Sequence, residues 1–243
     1  MVLLLVPLLL FSAVETHSAP HNLTWAAQFS EQFRDFILYP RWMPDSFKGL
    51  GGPAFYFYPP LAFWVDALLS VVTINALSLP VRLSLSWMVI LWASGLAMHA
   101  WLRHETGSAR VALWGAIAYM VAPYHLFDYY LRGAFAEFTA YVFLPLVLLS
   151  IRRSVLLALS YAGLVVSHLP VALLFSVTVL PAYLLFRLRK PVEWLRAAAG
   201  GLLGLGLAAI YLLPALTLQG WIISRIGTYW PSLAGKNQPS CTS

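Results

Sequence analysis

The sequence predicts an all-α, polytopic transmembrane helix bundle of about seven spans. Three observations predict it. Hydrophobic residues make up 60% of the 243 residues and charged ones only 10%, against about 45–50% and about 25% in soluble domains. Apolar runs of roughly 18 residues recur, the length a bilayer crossing needs. The net charge of +6 is confined to a few short connections. Alternating strands of the membrane-barrel kind are absent, and no long basic run points to nucleic acid. One cysteine, Cys241, supports neither a disulfide framework nor a thiolate metal site.

The predicted spans are 1–14, 83–102, 110–127, 134–151, 154–170, 171–186 and 197–214. Residues 1–14 read either as a signal peptide or as a first span; the span is preferred. Prolines 123, 145, 170, 181 and 214 fall at the ends or middles of these runs, where neighbours must satisfy the freed carbonyls. The small-residue run 197–209 predicts close helix packing. Connections 103–110, 152–153 and 187–196 carry eight of the fifteen cations and two of the nine acids. The whole net charge thus lies in these three, which assigns them to the cytoplasmic side.

That assignment places 15–82 outside as a large first external loop, and about 124–137 as a second. Residues 23–38 have helical spacing of Trp25, Phe29, Phe33, Phe36 and Ile37, which predicts an interfacial helix, capped by Asn22 or Thr24. Residues 59–79 begin and end outside, so they predict a re-entrant helix; a carboxylate at Asp66 agrees, being costly on a lipid-facing span. Between them lies YPRWMPDSFKGLGGPAFYFYPP (39–60), too rich in Pro and Gly to span. It reads either as a rigid interfacial anchor or as the wall of a headgroup pocket. On the second reading Arg41 and Lys48 bind phosphate, Trp42 lines the site, and Asp45 is a base or metal ligand.

The second loop, APYHLFDYYLRGAFAEF (122–138), holds His125, Asp128, Arg132 and Glu137. Asp128 and Arg132 are i,i+4. Ionisable groups at the membrane boundary are functional candidates, and a structural ion pair is the alternative. His168 reads as an interfacial histidine, and His99 and His104 as bland. His17 and His21 stand four apart, but Pro20 argues against a helical metal pair. Asn22-Leu23-Thr24 matches a glycosylation sequon, a pattern common by chance. No zincin, nucleophile-elbow or phosphate-loop motif occurs.

LYPRWMPDSFKGLGGPAFYFYPPL and APYHLFDYYLRGAFAEF, with SHLPVALL and YLLPALTLQG, resemble a polytopic membrane family, mostly bacterial, labelled "6-pyruvoyl-tetrahydropterin synthase-related". The likeness runs to about residue 230, and the zinc-binding histidine cluster of the soluble synthase is not reproduced. The family is similar in architecture to the GT-C membrane glycosyltransferases. That resemblance implies a module over 1–230, a polyprenyl-phosphate-linked sugar as donor, and transfer on the outer face of the plasma (inner) membrane. It implies a catalytic acid among Asp45, Asp128 and Glu137, acting as base or metal ligand, with Arg41, Lys48 and Arg132 on the donor phosphate and His125 and Trp42 as further substrate-binding residues. No metal ligand set is named, and a divalent metal is left open as cofactor. The usual acid after the first span is missing: Glu15 is the nearest, and Asn22 stands where relatives have an acid. The resemblance also implies an N-terminal fragment with a disordered tail, 231–243. A non-catalytic scaffold or lipid-carrier-binding protein is the second reading and a transporter the third, disfavoured by the scarcity of polar residues within the spans.

Overall fold

The structure, a computed structural model, describes residues 16–234, and side chains as far as 220. The predicted span 1–14 and positions 235–243 of the predicted tail lie outside the described residues. Regular structure among the described residues is helical, with one isolated bridge between Met43 and Gly52. The helices are α1 (Ala19–Arg34), α2 (Leu61–Val72), α3 (Leu79–Thr106), α4 (Ala109–Met120), α5 (Pro123–Phe127), α6 (Phe135–Ser150), α7 (Ser154–Ser167), α8 (Leu169–Val177), α9 (Val179–Arg187) and α10 (Pro191–Ala234). Positions 231–234 of the predicted tail therefore belong to α10.

Two helices are long and apolar enough to cross a membrane: α3, and α10 over Pro191–Gly220. A third crossing is available if α8 and α9 are one span bent by 43°. The predicted span 171–186 is thus a kinked pair. Pro181 causes the kink, because its ring displaces the carbonyl of Val177 and it has no N–H to donate. The predicted spans 110–127, 134–151 and 154–170 are shorter as helices, at 12, 16 and 14 residues for α4, α6 and α7.

The three basic connections meet at one end of the helices. Arg187 Nη2 lies 3.0 Å from Glu105 Oε1, Arg152 Nη2 donates to the Arg187 carbonyl at 2.8 Å, and Arg152 Nε approaches Glu193 at 3.4 Å. Small residues let α10 close on α7: a Cβ on Gly200 or Gly204 would come within 2.9 Å of the Ser154 or Ala158 carbonyl oxygen. The run 197–209 does serve packing, as its composition predicts.

At the opposite end α1, α2 and the outer ends of α3 and α6 form an aromatic cap. Phe29, Phe55 and Phe63 are fully buried, and Phe55 meets the other two rings edge-on at 4.8 and 4.9 Å. The predicted interfacial helix is displaced: it runs Ala19–Arg34, with Pro20 in its first turn, and neither Asn22 nor Thr24 caps it. Trp25, Phe29 and Phe33 pack into the cap, while Phe36 and Ile37 lie beyond the helix and are exposed. The apolar face is thus covered mainly by protein.

The predicted re-entrant segment forms α2, whose 12 residues fall short of the about 20 a crossing needs. Asp66 on α2 is fully buried against Arg82 of α3. Arg82 Nε donates to both Asp66 oxygens at 3.2 Å, Nη2 to Asp66 and Ser30, and Nη1 to Asn75. Ser86 Oγ adds a bond to Asp66 at 3.2 Å. One guanidinium therefore joins α1, α2 and α3 with its donors matched. Arg82→Met should destabilise the chain by about 3–5 kcal/mol, because it strands a buried carboxylate. The double variant Asp66→Leu/Arg82→Met should recover much of this. Denaturant unfolding in detergent would check both; equal losses in the single and double variants would refute the pairing.

Candidate functional site

The loop 39–60 folds back on itself at the end of the helices that carries the aromatic cap. Met43 and Gly52 exchange backbone hydrogen bonds at 2.8 and 3.0 Å, and Gly51 N–H reaches the Ser46 carbonyl at 2.9 Å. Inside this closure Phe47, Lys48 and Gly49 all have positive φ, of 53°, 61° and 86°. Two successive non-glycine residues in the left-handed region store backbone strain, which concentrates at ligand-binding positions. Gly51 is required by contact: a Cβ there would lie 2.5 Å from Trp42 Nε1. Trp42 is accordingly packed on its own loop.

A cavity of about 650 Å³ opens beside this loop. Trp25, Phe47, Phe57 and Tyr58 supply aromatic walls, and His21, Thr24, Asp45 and Ser46 the polar ones. The Asp45 backbone N–H is fixed by Gln28 Oε1 at 2.7 Å, while its carboxylate has no partner among the described residues. The other acids of the two external loops with functional geometry are paired: Asp66 with Arg82, and Asp128 and Glu137 with Arg132. Glu31 and Asp35 line no cavity described here.

The second loop forms a separate cluster. Asp128–Arg132 is a π-helical turn ended by Gly133 at φ 64°. Arg132 Nη1 contacts Asp128 Oδ1 at 2.5 Å and Glu137 Oε2 at 2.8 Å. Tyr124 OH donates to Glu137 at 2.8 Å, and Tyr141 OH to Asp128 at 2.5 Å. Asp128 is fully buried and Arg132 is 41% exposed. Burial pushes the Asp128 carboxyl up, against the pull of Tyr141 and Arg132. Burial alone would lower Arg132, but Asp128 and Glu137 outweigh it and raise the guanidinium further. His125 lies behind the cluster, its ring 4.2 Å from that of Tyr141 and its Nε2 buried without a partner among the described residues.

Tyr58 stands between the cavity and the cluster. Burial pushes its phenol up to about 12, and the nearby Glu137 carboxylate adds to the rise. Asn22 is the other link: its Nδ2 donates to the Gly133 carbonyl at 2.7 Å. The Asn22 amide thus pins α1 to the second loop.

Of the catalytic and substrate-binding residues assigned from the sequence, Asp45 alone lines this cavity. Lys48 is exposed beside it, next to Phe47. Arg41 is engaged elsewhere: Nη2 donates to the Ile210 carbonyl at 3.0 Å, and its guanidinium lies 4.6 Å over the Tyr39 ring. Ile210 is four residues before Pro214, so Arg41 satisfies the carbonyl that this proline frees. Tyr119 does the same for Pro145, donating to the Tyr141 carbonyl at 2.8 Å. Sequence reasoning missed Arg82 and Tyr58; the only signal for Arg82 was the buried Asp66 and its need for a partner.

A divalent metal does not fit these residues. No three His, Cys, Asp or Glu side chains converge among the described residues. The two acids that do share a site are already bridged by Arg132. No family model, curated protein or solved structure matches the chain.

Two substitutions test these assignments. Asn22→Asp should cost about 1–3 kcal/mol, because it sets a buried acceptor against the Gly133 carbonyl. Arg41→Leu should cost a similar amount by unfolding in detergent. That loss should shrink in a Pro214→Ala background, where residue 214 regains its N–H; additive losses would remove Arg41 from this role.

Proposed function

We propose that the chain is a multi-pass membrane protein and a GT-C-like glycosyltransferase module, taking a polyprenyl-phosphate-linked sugar at the outer face of the plasma membrane. The observation that carries this reading is the aromatic-walled outer cavity with Asp45 as its unpaired carboxylate. Aromatic faces suit the apolar faces of a sugar ring, and a carboxylate suits its hydroxyls. The seven-span topology belongs to the same proposal. It is supported by the shared ends of the helices, with the basic connections together at one end, which the positive-inside rule makes cytoplasmic.

In this reading Asp45 accepts the proton of an acceptor hydroxyl as the oxygen attacks the anomeric carbon. The bond from that carbon to the phosphate oxygen breaks, and polyprenyl phosphate leaves. Lys48 meets the charge on the departing phosphate as a point charge. A single carboxylate on the cavity wall favours one displacement with inversion, since retention needs a second group as nucleophile. Glu137 and Arg132 act on the cavity through the electrostatics of Tyr58, and Asp128 is paired with Arg132 behind it. They position and do not react, because each is already partnered.

The second reading, a lipid-carrier-binding protein without turnover, is favoured by that saturation of the Arg132 cluster. One experiment separates the two. Purified full-length protein in nanodiscs is given a photoactivatable polyprenyl phosphate and, separately, radiolabelled polyprenyl-phosphate hexoses with a hydroxyl acceptor. Crosslinking to 39–60 with turnover supports the enzyme, and Asp45→Asn should then slow transfer by about 10²–10⁴-fold with crosslinking retained. Crosslinking without turnover moves the assignment to the binding protein. Absence of both would sink the reading.

A further inference from the structure

We propose that the basic end of the bundle binds the headgroup of an anionic phospholipid. The site is a cavity of about 330 Å³ between the ends of α3, α6, α7 and α9. Its size is that of a ligand pocket, and it lies far along the helices from the sugar cavity, at the end where the three basic connections meet.

Two chemistries line it. Leu146, Leu149 and Leu156 give an apolar wall, and His104, Arg152, Arg153 and Arg187 surround it with cationic and hydrogen-bonding groups. Glu105 is the one acid on the lining, and it is already taken: Arg187 Nη2 lies 3.0 Å and Tyr183 OH 2.8 Å from its Oε1. Arg152 is held in place by the Arg187 carbonyl and by Glu193. The Arg153 guanidinium and the His104 ring have no partner among the described residues. Arg153 is also the N-cap residue just before α7, where free backbone N–H groups favour an anion.

Three arginines against two carboxylates, Glu105 on the lining and Glu193 beside Arg152, leave one positive charge, on Arg153, for an anion. A free phosphate would answer the charge but leave the leucines unused. A phospholipid answers both, with its phosphate at Arg153 and an acyl chain on the leucine wall. Basic pockets between membrane helices on the cytoplasmic side have this character.

Native mass spectrometry of the full chain, released from detergent after exposure to defined lipids, tests the site. Phosphatidylglycerol should be retained in preference to phosphatidylcholine. Arg153→Gln should weaken that retention about fivefold. Arg110→Gln, an exposed cation at the same end that does not line the cavity, should leave it unchanged. Equal retention of the two lipids, or equal loss in the two variants, would overturn the proposal. Thermal stabilisation by inorganic phosphate matching that by phosphatidylglycerol would overturn the lipid as source. Since the outer cavity plays no part in these measurements, the result stands apart from the fate of the glycosyltransferase reading.

Discussion

A proline inside a membrane helix frees the carbonyl four residues earlier, and hydrocarbon offers nothing to bond it. That constraint organises much of this molecule. Pro145 leaves the Tyr141 carbonyl open, and Tyr119 of α4 donates to it. Pro214 leaves the Ile210 carbonyl open, and Arg41 of the first loop donates to it. The second bond reaches from the outer loop into α10, across 169 positions of sequence. With the Tyr211 hydroxyl on the Phe57 carbonyl at 3.0 Å, it holds the loop 39–60 against the bundle. At Pro181 the helix bends instead, by 43°.

The outer cap then depends on polar groups that find one another away from water. Arg82 gathers Asp66, Ser30 and Asn75, and Arg34 extends the network to Ser70 at 2.8 Å. Such a network specifies one arrangement of α1, α2 and α3, because any shift strands a buried charge. Phe29, Phe55 and Phe63 fill the space beside it. The strain at Phe47 and Lys48 persists only because the closure at Met43 and Gly52 and this packing hold the loop on both sides.

The helical class, the gathering of the basic connections and the close packing of the small-residue run in α10 were legible in the sequence, though not its partner α7. Each depends on composition or charge, which local reading captures. The Asp128–Arg132 contact was legible too, since i,i+4 spacing is a local rule. The pairing of Arg82 with Asp66 and the use of Arg41 were not. Both depend on which helices meet, and an arginine offers the same donors to a phosphate, a carboxylate or a carbonyl. The start of α1 was misplaced because Asn22 and Thr24 are good caps, while Pro20 in the first turn sets the start earlier. The burial of Trp25 and Phe33 was misjudged because an aromatic stripe suits a lipid surface and a protein core equally well.

Asn22 carries the argument about chemistry furthest. The cluster beside it already holds two carboxylates to one guanidinium, with Asp128 fully buried. An acid at position 22 would add a third negative charge there and face a carbonyl that needs a donor. An amide meets both conditions, because its NH₂ donates and it carries no charge. The amide at position 22 and the density of charge in the second loop are therefore one fact seen from two sides. With position 22 given to structure, the proposed role of proton acceptor falls to an acid that is unpaired and open to a cavity. Among the described residues at the end of the helices that carries the aromatic cap, Asp45 is the acid that meets both requirements.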